Sequence, residues 1–300
     1  MSDKTTSPGL PQWGEHTLVM GVLNLTPDSF SDGGRLNSVA AALQAAARML
    51  AQGADLLDLG SQSTRPGAAD VGVEEELARL LPVLGAIRAA HPDALLSVDS
   101  FRAPVAAAAL AAGADWINDV RGGNHCPLHA GVPEQSGGGS SRRDPQMLPL
   151  IASAGCPYVL MHSRGTSQTM DELAVYGDVV AEVRAELLAA TQQALAAGVR
   201  TEQIVWDPGL GFAKTTEQNL ELLRGLGQLR AEGFPLLVGP SRKRFIGAVL
   251  HEPRPRARLW GTAAVCAQAI AAGADVLRVH DVGPIVQVAR MTDAIVRMAP

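Results

Sequence analysis

Two carboxylates sit where a ligand could use them. Asp99 closes the run LLSVDSF, and Asp207 closes the apolar part of IVWDPGLGF. A carboxylate set among Val, Trp and Leu is costly to ionise unless something pairs with it. A ligand with two adjacent N–H donors would match one carboxylate as a fork, and the 2-amino-N3-H edge of a pterin or guanine has that shape. Asn118, in INDV, both donates and accepts, which suits a mixed heterocycle edge. Each residue alone has a plainer use: Asp99 would cap the helix after it, and Asp207 would open a turn before Pro208.

Positive charge gathers further on. GPSRKRFIG supplies Arg242 and Lys243, and RVHDVGP supplies Arg278 and His280. Arg65, in GSQSTRPGA, adds another cation. Arg254, Arg256 and Arg258 look peripheral, as a solvated basic loop. In VLNLTPDSFSDGG an apolar run reaches Asn24 and passes at once into Pro, Ser, Asp and Gly, which favour turns. A segment this pliable could close over a bound ligand. Other chemistries lack their marks. GLGF is too short for a nucleotide fingerprint, there is no G-x-S-x-G, and no Cys stands beside a His as in a triad.

These groups need a frame that brings them together. One phrase recurs: AQGADLLDLG at 51–60, AAGADWINDV at 111–120 and AAGADVLRVH at 271–280. Each has an Ala-rich helix former, a Gly where a helix would stop, and a short apolar run with the look of a buried parallel strand. The pattern predicts strands at 18–23, 56–59, 95–98, 116–117, 158–161, 204–206, 236–238 and 276–279. Helices are expected at 38–52, 74–90, 103–112, 145–154, 175–197, 216–231, 257–272 and 284–298, the fourth opened by Asp144-Pro145 as N-cap and first residue. Eight such units imply an α/β fold, a closed (β/α)8 TIM barrel. A doubly wound open sheet is the alternative, but no G-x-G-x-x-G turn follows the first strand. Asn24, Asp58, Asp99, Asn118, Asp119, His162, Asp207, Ser241, Arg278 and His280 then fall at or just past strand ends. In a barrel those ends converge on one mouth, and the loops after strands seven and eight form the usual phosphate site.

Bulk properties set the limits. With 300 residues, 47% of them hydrophobic, the chain can bury a sizeable core. A net charge of -5 without a long basic block argues against nucleic acid or an anionic membrane as partner. Three scattered cysteines suggest no disulfide framework. With no apolar leader and no apolar run near ~18 residues, a cytoplasmic setting is expected. Residues 1–16 read as a tail and 17–300 as one domain, interrupted by a Gly/Ser-rich loop at about 121–143. His125, Cys126 and His129 in that loop make only a weak metal signal.

GVLNLTPDSFSDGG, DLGSQSTRPGA, SVDSF, INDV, LMHSRGT, DPGLGFAKT, GPSRKRFIG and RVHDV, in this order, resemble the dihydropteroate synthase family across essentially the whole chain. The resemblance implies a TIM barrel transferase. It would join 4-aminobenzoate to 6-hydroxymethyl-7,8-dihydropterin diphosphate, with Mg²⁺ as cofactor, as a homodimer and sulfonamide target in folate biosynthesis. It implies that Asp99, Asn118 and Asp207 hold the pterin edge, that Lys243 reaches the oxygen and N5 side, and that Met161 and Phe212 pack on the ring faces. Asn24 would help bind Mg²⁺-diphosphate, with Arg65, Arg278 and His280 on the anion. Phe30, Thr64, Arg65, Pro66 and Ser241 would form the 4-aminobenzoate side. Lys243, Arg278, His280 and Asp99 would act closest to the reaction. One departure stands out: the family's Gly-Glu is Ser61-Gln62 here. Two rival readings are a pterin-binding methyltransferase acting on a corrinoid partner and a catalytically decayed paralogue. The first would not need STRPGA, SRK or RVHD, and the second would not need to retain every position named.

Overall fold

Short apolar runs become parallel strands here because helices cover one face of each and the barrel interior covers the other. The computed structural model describes residues 11, 13–25, 39–62, 71–122 and 143–297. Along them run β1 (Leu18–Asn24), α1 (Val39–Ala51), β2 (Leu56–Gly60), α2 (Val73–Ala90), β3 (Leu95–Asp99), α3 (Ala103–Ala111), β4 (Trp116–Asp119), α4 (Met147–Ala154) and β5 (Tyr158–Met161). Next come α5 (Val179–Ala196), β6 (Ile204–Asp207), α6 (Thr216–Arg224), α7 (Leu226–Arg230), β7 (Leu237–Val238), α8 (Arg244–Leu250), α9 (Leu259–Ala271), β8 (Val276–Val279) and α10 (Val282–Val296). The strands are ordered β6-β5-β4-β3-β2-β1-β8-β7. A parallel bridge from Trp206 to Leu236 joins β6 to the start of β7 and closes the ring. The expected TIM barrel is what forms.

Strand periodicity sorts the interior into layers. Leu18, Met20, Leu56, Trp116, Val159, Val205, Leu237 and Val276 pack together and fill the base. Burying side chains of this size is worth about 1.5–3 kcal/mol each. Trp13, in the stretch expected as a tail, packs edge-on against Trp116 with ring centroids 6.1 Å apart. Two positions further along their strands the sequence turns polar: Asp58, Ser97, Asn118, Asp207 and Arg278 follow Leu56, Leu95, Trp116, Val205 and Val276.

Several boundaries differ from those expected, each for a local reason. Most strands run past the apolar residues, so Asn24, Asp99, Asp119 and Asp207 are themselves the last strand residues. The fourth helix starts at Met147 rather than 145. Asp144 instead accepts the Gln146 N–H and, at the head of α3, the Ala103 N–H, both at 2.9 Å. The expected helix at 216–231 is two, α6 and α7. No helix is expected at 244–250, yet α8 forms there. The stretch expected as a loop at 121–143 lies outside the described residues except for its ends, as do His125, Cys126 and His129. At those ends Arg143 Nη1 donates to the Gly122 carbonyl at 2.9 Å. No described helix is long and apolar enough to cross a membrane.

Candidate active site

The polar layer is wired around Asp58, a fully buried carboxylate. It accepts from Ser97 Oγ at 2.6 Å, Asn118 Nδ2 at 3.2 Å and Arg278 Nε at 2.6 Å. Arg278 Nη2 donates to Asp99 Oδ2 at 2.7 Å, so one guanidinium spans two carboxylates. Strand register makes this possible: Asn24, Gly60, Asp99 and Asn118 pair in sequence across β1 to β4. Burial pushes the Asp99 carboxyl up to about 7 despite Arg278, and Asp58, Glu76 and Asp119 add to the push. Burial works against the Arg278 charge too, but Asp58 and Asp99 more than offset it and hold its pKa above the ordinary value. Asp99 is therefore no cap for α3: Arg102 precedes the helix without a cap bond of its own, and the first helical N–H, that of Ala103, goes to Asp144.

Asn118 has its nitrogen committed and its oxygen idle. Oδ1 is buried and has no hydrogen-bond partner among the described residues. Such an orphan calls for a donor from elsewhere. Asp207 is similar. It does open the expected turn, accepting the Gly209 N–H on Oδ1 at 2.7 Å. That takes one of about four acceptor positions on the carboxylate. Burial raises its pKa, against the pull of the Gly209 N–H and of Lys243.

The turn after Asp207 is tightly wound. Gly209 and Gly211 have φ of 67° and 77°, in the left-handed region. A Cβ on Gly209 would lie 1.8 Å from the His162 carbonyl oxygen, and one on Gly211 would lie 2.9 Å from Lys243 Cδ. Thr215 and Gln218 form a capping box that fixes where the turn ends and α6 begins. The result is a wall over the mouth. Phe212 packs with Met161, Phe101 and Val120, and Lys243 Nζ sits 4.0 Å from the Phe212 ring centroid. Burial lowers Lys243 to about 8, with Asp207 pulling the other way.

On the opposite side Ser241 Oγ accepts from the His280 N–H at 3.1 Å and lies 3.0 Å from Nδ1. His280 Nε2 is 3.3 Å from Asn24 Nδ2, which can only donate. Nε2 therefore accepts and Nδ1 carries the proton. Arg242, expected with the cations where an anion would sit, has its guanidinium committed to a carboxylate. Its φ of 60° turns the chain, and its guanidinium grips Asp281 at 2.9 and 2.6 Å. Arg258, expected to be peripheral, is buried. It donates to the carbonyls of Arg242, Glu252 and Pro253 at 3.0, 2.9 and 2.6 Å and so braces the turn that presents Lys243. Arg254 and Arg256 are exposed, as expected. Phe30, Thr64, Arg65 and Pro66 lie outside the described residues. At the edge of that last segment the unusual Gln62 accepts the Val71 N–H at 2.9 Å, joining the segment's two flanks.

The barrel thus collects Asn24, Asp99, Asn118, Met161, Asp207, Phe212, Ser241, Lys243, Arg278 and His280 at the C-terminal ends of its strands. Asp58 is the member sequence reading passed over: its strand-end position was visible, its role as hub was not. Comparison with known proteins agrees with this arrangement. The family model "Pterin binding enzyme" matches residues 20–280. The chain is 48% identical over 285 residues to a dihydropteroate synthase of Synechocystis, covering 95% of this chain and 92% of that protein. A Yersinia pestis dihydropteroate synthase solved with a sulfonamide drug is 38% identical at TM-score 0.85, covering 97% and 98%. A Xanthomonas albilineans dihydropteroate synthase solved with 4-aminobenzoic acid is 40% identical at TM-score 0.82, covering 94% and 93%. A barrel whose mouth holds idle buried acceptors on one side and cations on the other therefore belongs to the pterin-binding enzyme family, among the dihydropteroate synthases.

Proposed function

We propose that this chain condenses 6-hydroxymethyl-7,8-dihydropterin diphosphate with 4-aminobenzoate, giving 7,8-dihydropteroate and diphosphate. The observation that carries the reading is the pair of under-used buried acceptors, Asn118 Oδ1 and the Asp207 carboxylate. A pterin brings its 2-amino and N3 hydrogens to such acceptors. Asp207 takes two of them as a fork, Asn118 and Asp99 complete the edge, and Met161 and Phe212 cover the ring faces. Lys243 lies along the oxygen and N5 side. Asn24, His280, Arg278 and Arg65 face the diphosphate, while Phe30, Thr64, Arg65, Pro66 and Ser241 form the 4-aminobenzoate side.

The reacting bond joins the pterin's exocyclic carbon to the diphosphate oxygen. It breaks first, its electron pair leaving on diphosphate, because ring nitrogen lone pairs stabilise the cation left behind. The aryl amine then attacks through its own lone pair and sheds one proton to the departing diphosphate or solvent. The amine is already a nucleophile, so the protein's tasks are orientation, charge stabilisation and exclusion of water. Among the described residues no group of three or more His, Cys, Asp or Glu could hold a metal ion, and Asn24 is the residue proposed to face one. The Asn24 nitrogen is spent on His280. Its amide oxygen is the hard ligand left, which fits Mg²⁺ that keeps most of its shell in water and phosphate oxygens. Bound there, Mg²⁺ would neutralise leaving-group charge.

Homodimer formation is supported by Trp260 on α9 and Met291 and Ile295 on α10, apolar side chains left exposed on neighbouring helices. A cytoplasmic setting accords with the free thiols of Cys156 and Cys266. Residues 17–300 form one catalytic domain, and 121–143 is an insertion apart from the chemistry. The direct test is turnover with pterin diphosphate, Mg²⁺ and 4-aminobenzoate. One diphosphate should appear per dihydropteroate; absent turnover, or methyl transfer to a corrinoid instead, would replace the reading.

A pH profile follows from the site. Asp99 must be ionised to accept from the pterin, and Lys243 must be charged to meet its oxygen. Affinity should rise as pH climbs through about 7 and Asp99 loses its proton. It should fall as Lys243 loses its own at about 8. The expected kcat/KM for pterin diphosphate is a narrow bell; a flat profile from pH 6 to 9 would remove both residues from the binding edge.

A further inference from the structure

We infer that Lys214 is a positioning residue for the pterin site: its ammonium locks the turn that carries Asp207 and Phe212, and so sets how tightly a pterin binds. The inference rests on the site reading above. Lys214 is buried, and its side chain reaches back under the turn. Nζ lies 3.1 Å from the Gly209 carbonyl oxygen, 3.0 Å from that of Phe212 and 3.0 Å from His162 Nδ1. The third contact can be assigned. His162 Nε2 faces Glu186 Oε2 at 2.9 Å, and Arg164 pairs with the same carboxylate. An Arg-paired carboxylate accepts, so Nε2 carries the hydrogen and Nδ1 is left as an acceptor.

Three acceptors therefore surround one nitrogen. Only the ammonium has three hydrogens to give them. A neutral amine would leave one acceptor unmet and point its lone pair at it. The turn needs this hold, because Gly209, Gly211 and Ala213 all have left-handed φ within five residues. On the far side Asn219 Oδ1 accepts the Gly211 N–H at 2.6 Å. The turn is thus pinned at both flanks, and the Phe212 ring and Asp207 carboxylate ride on it.

Charged and titratable groups face Lys214 from every side. Asp207 stands on β6, His162 and Arg164 follow β5, Glu186 is on α5, and Lys243 precedes α8. The Tyr176 ring centroid is 6.0 Å from Nζ. Asp171 and Arg244 border with Lys214 a cavity of about 320 Å³. Burial pushes Lys214 down to about 7, while Asp207 and Glu186 resist the loss of its charge. The locking form is present below that pH and lost above it.

The test is calorimetric titration of a pterin ligand against wild type, Lys214→Met and Asp207→Asn from pH 6 to pH 9. Protonation of ligand and of Asp99 is common to wild type and Lys214→Met and cancels in their ratio. At pH 6 Lys214→Met should bind roughly tenfold or more weakly, the size of one or two lost charged hydrogen bonds. By pH 9, where wild type has lost the same charge, the gap should close to about threefold or less. A gap that stays constant with pH would mean a structural role only and overturns the proposal. So would wild-type affinity in Lys214→Met at pH 6 while Asp207→Asn is weakened. Unweakened Asp207→Asn would instead reject the pterin-site reading and this proposal with it. Lys214→Gln, which keeps a polar group at this place, carries the same prediction if the Met variant does not fold.

Discussion

Arg278→Met should unfold more easily than wild type by about 3–5 kcal/mol, the usual cost of removing one partner from a buried ion pair. It should also lose roughly a thousandfold or more in turnover, about 4 kcal/mol of barrier. The guanidinium spans Asp58 and Asp99, and no other cation hydrogen-bonds either carboxylate among the described residues. Without it Asp58 keeps only the Ser97 hydroxyl and the Asn118 amide as side-chain donors. Asp99, already raised to about 7, would move higher and hold its proton at neutral pH. The sign is fixed by linkage: an acid whose folded pKa lies above its unfolded value loses stability as pH rises between the two. In wild type that loss ends near 7, whereas in the variant it continues upward. The stability gap should therefore be wider at pH 8 than at pH 6. Denaturant unfolding at the two pH values measures it, and an equal, small gap would mean that Arg278 is no keystone of the floor.

Much of this site was legible in the sequence because strand ends are legible. A Gly, a short apolar run and a terminal Asp or Asn place a residue on the barrel mouth without any tertiary knowledge. Asn24, Asp99, Asn118 and Asp207 were found that way, and β1, β3, β4 and β6 deliver them. What stayed hidden depends on which way a side chain points and what it meets. Arg242 and Lys243 are adjacent cations with nothing local to separate them, yet a positive φ sends one to Asp281 and leaves the other on Phe212. Arg258 sits in a run of Arg and Pro with the composition of a solvated loop, but three carbonyls from two turns claim it. Seven residues holding a Gly and two β-branched side chains gave too little periodicity to announce α8. Lys214 lies within the DPGLGFAKT motif, but its partner His162 is at another strand's end, and no spacing rule links them.

Asp207→Asn should separate binding from stability. The amide oxygen can still accept the Gly209 N–H, so the turn survives. Burial already disfavours the charged carboxylate, so losing it should leave the fold at least as stable as before. Pterin affinity should nevertheless drop about a hundredfold, roughly 3 kcal/mol, because an amide nitrogen now faces the ligand's donors. The same ligand edge gives the most direct measurement of the central claim. Affinities of a pterin and of its analogue lacking the 2-amino group, each measured on wild type and on Asp207→Asn, close a cycle that isolates one contact. If Asp207 holds that amino group, the two losses overlap, and the coupling should be about 1.5–3 kcal/mol, the worth of one hydrogen bond to a charged acceptor. Strictly additive losses would place the amino group elsewhere and contradict the assignment of this pocket.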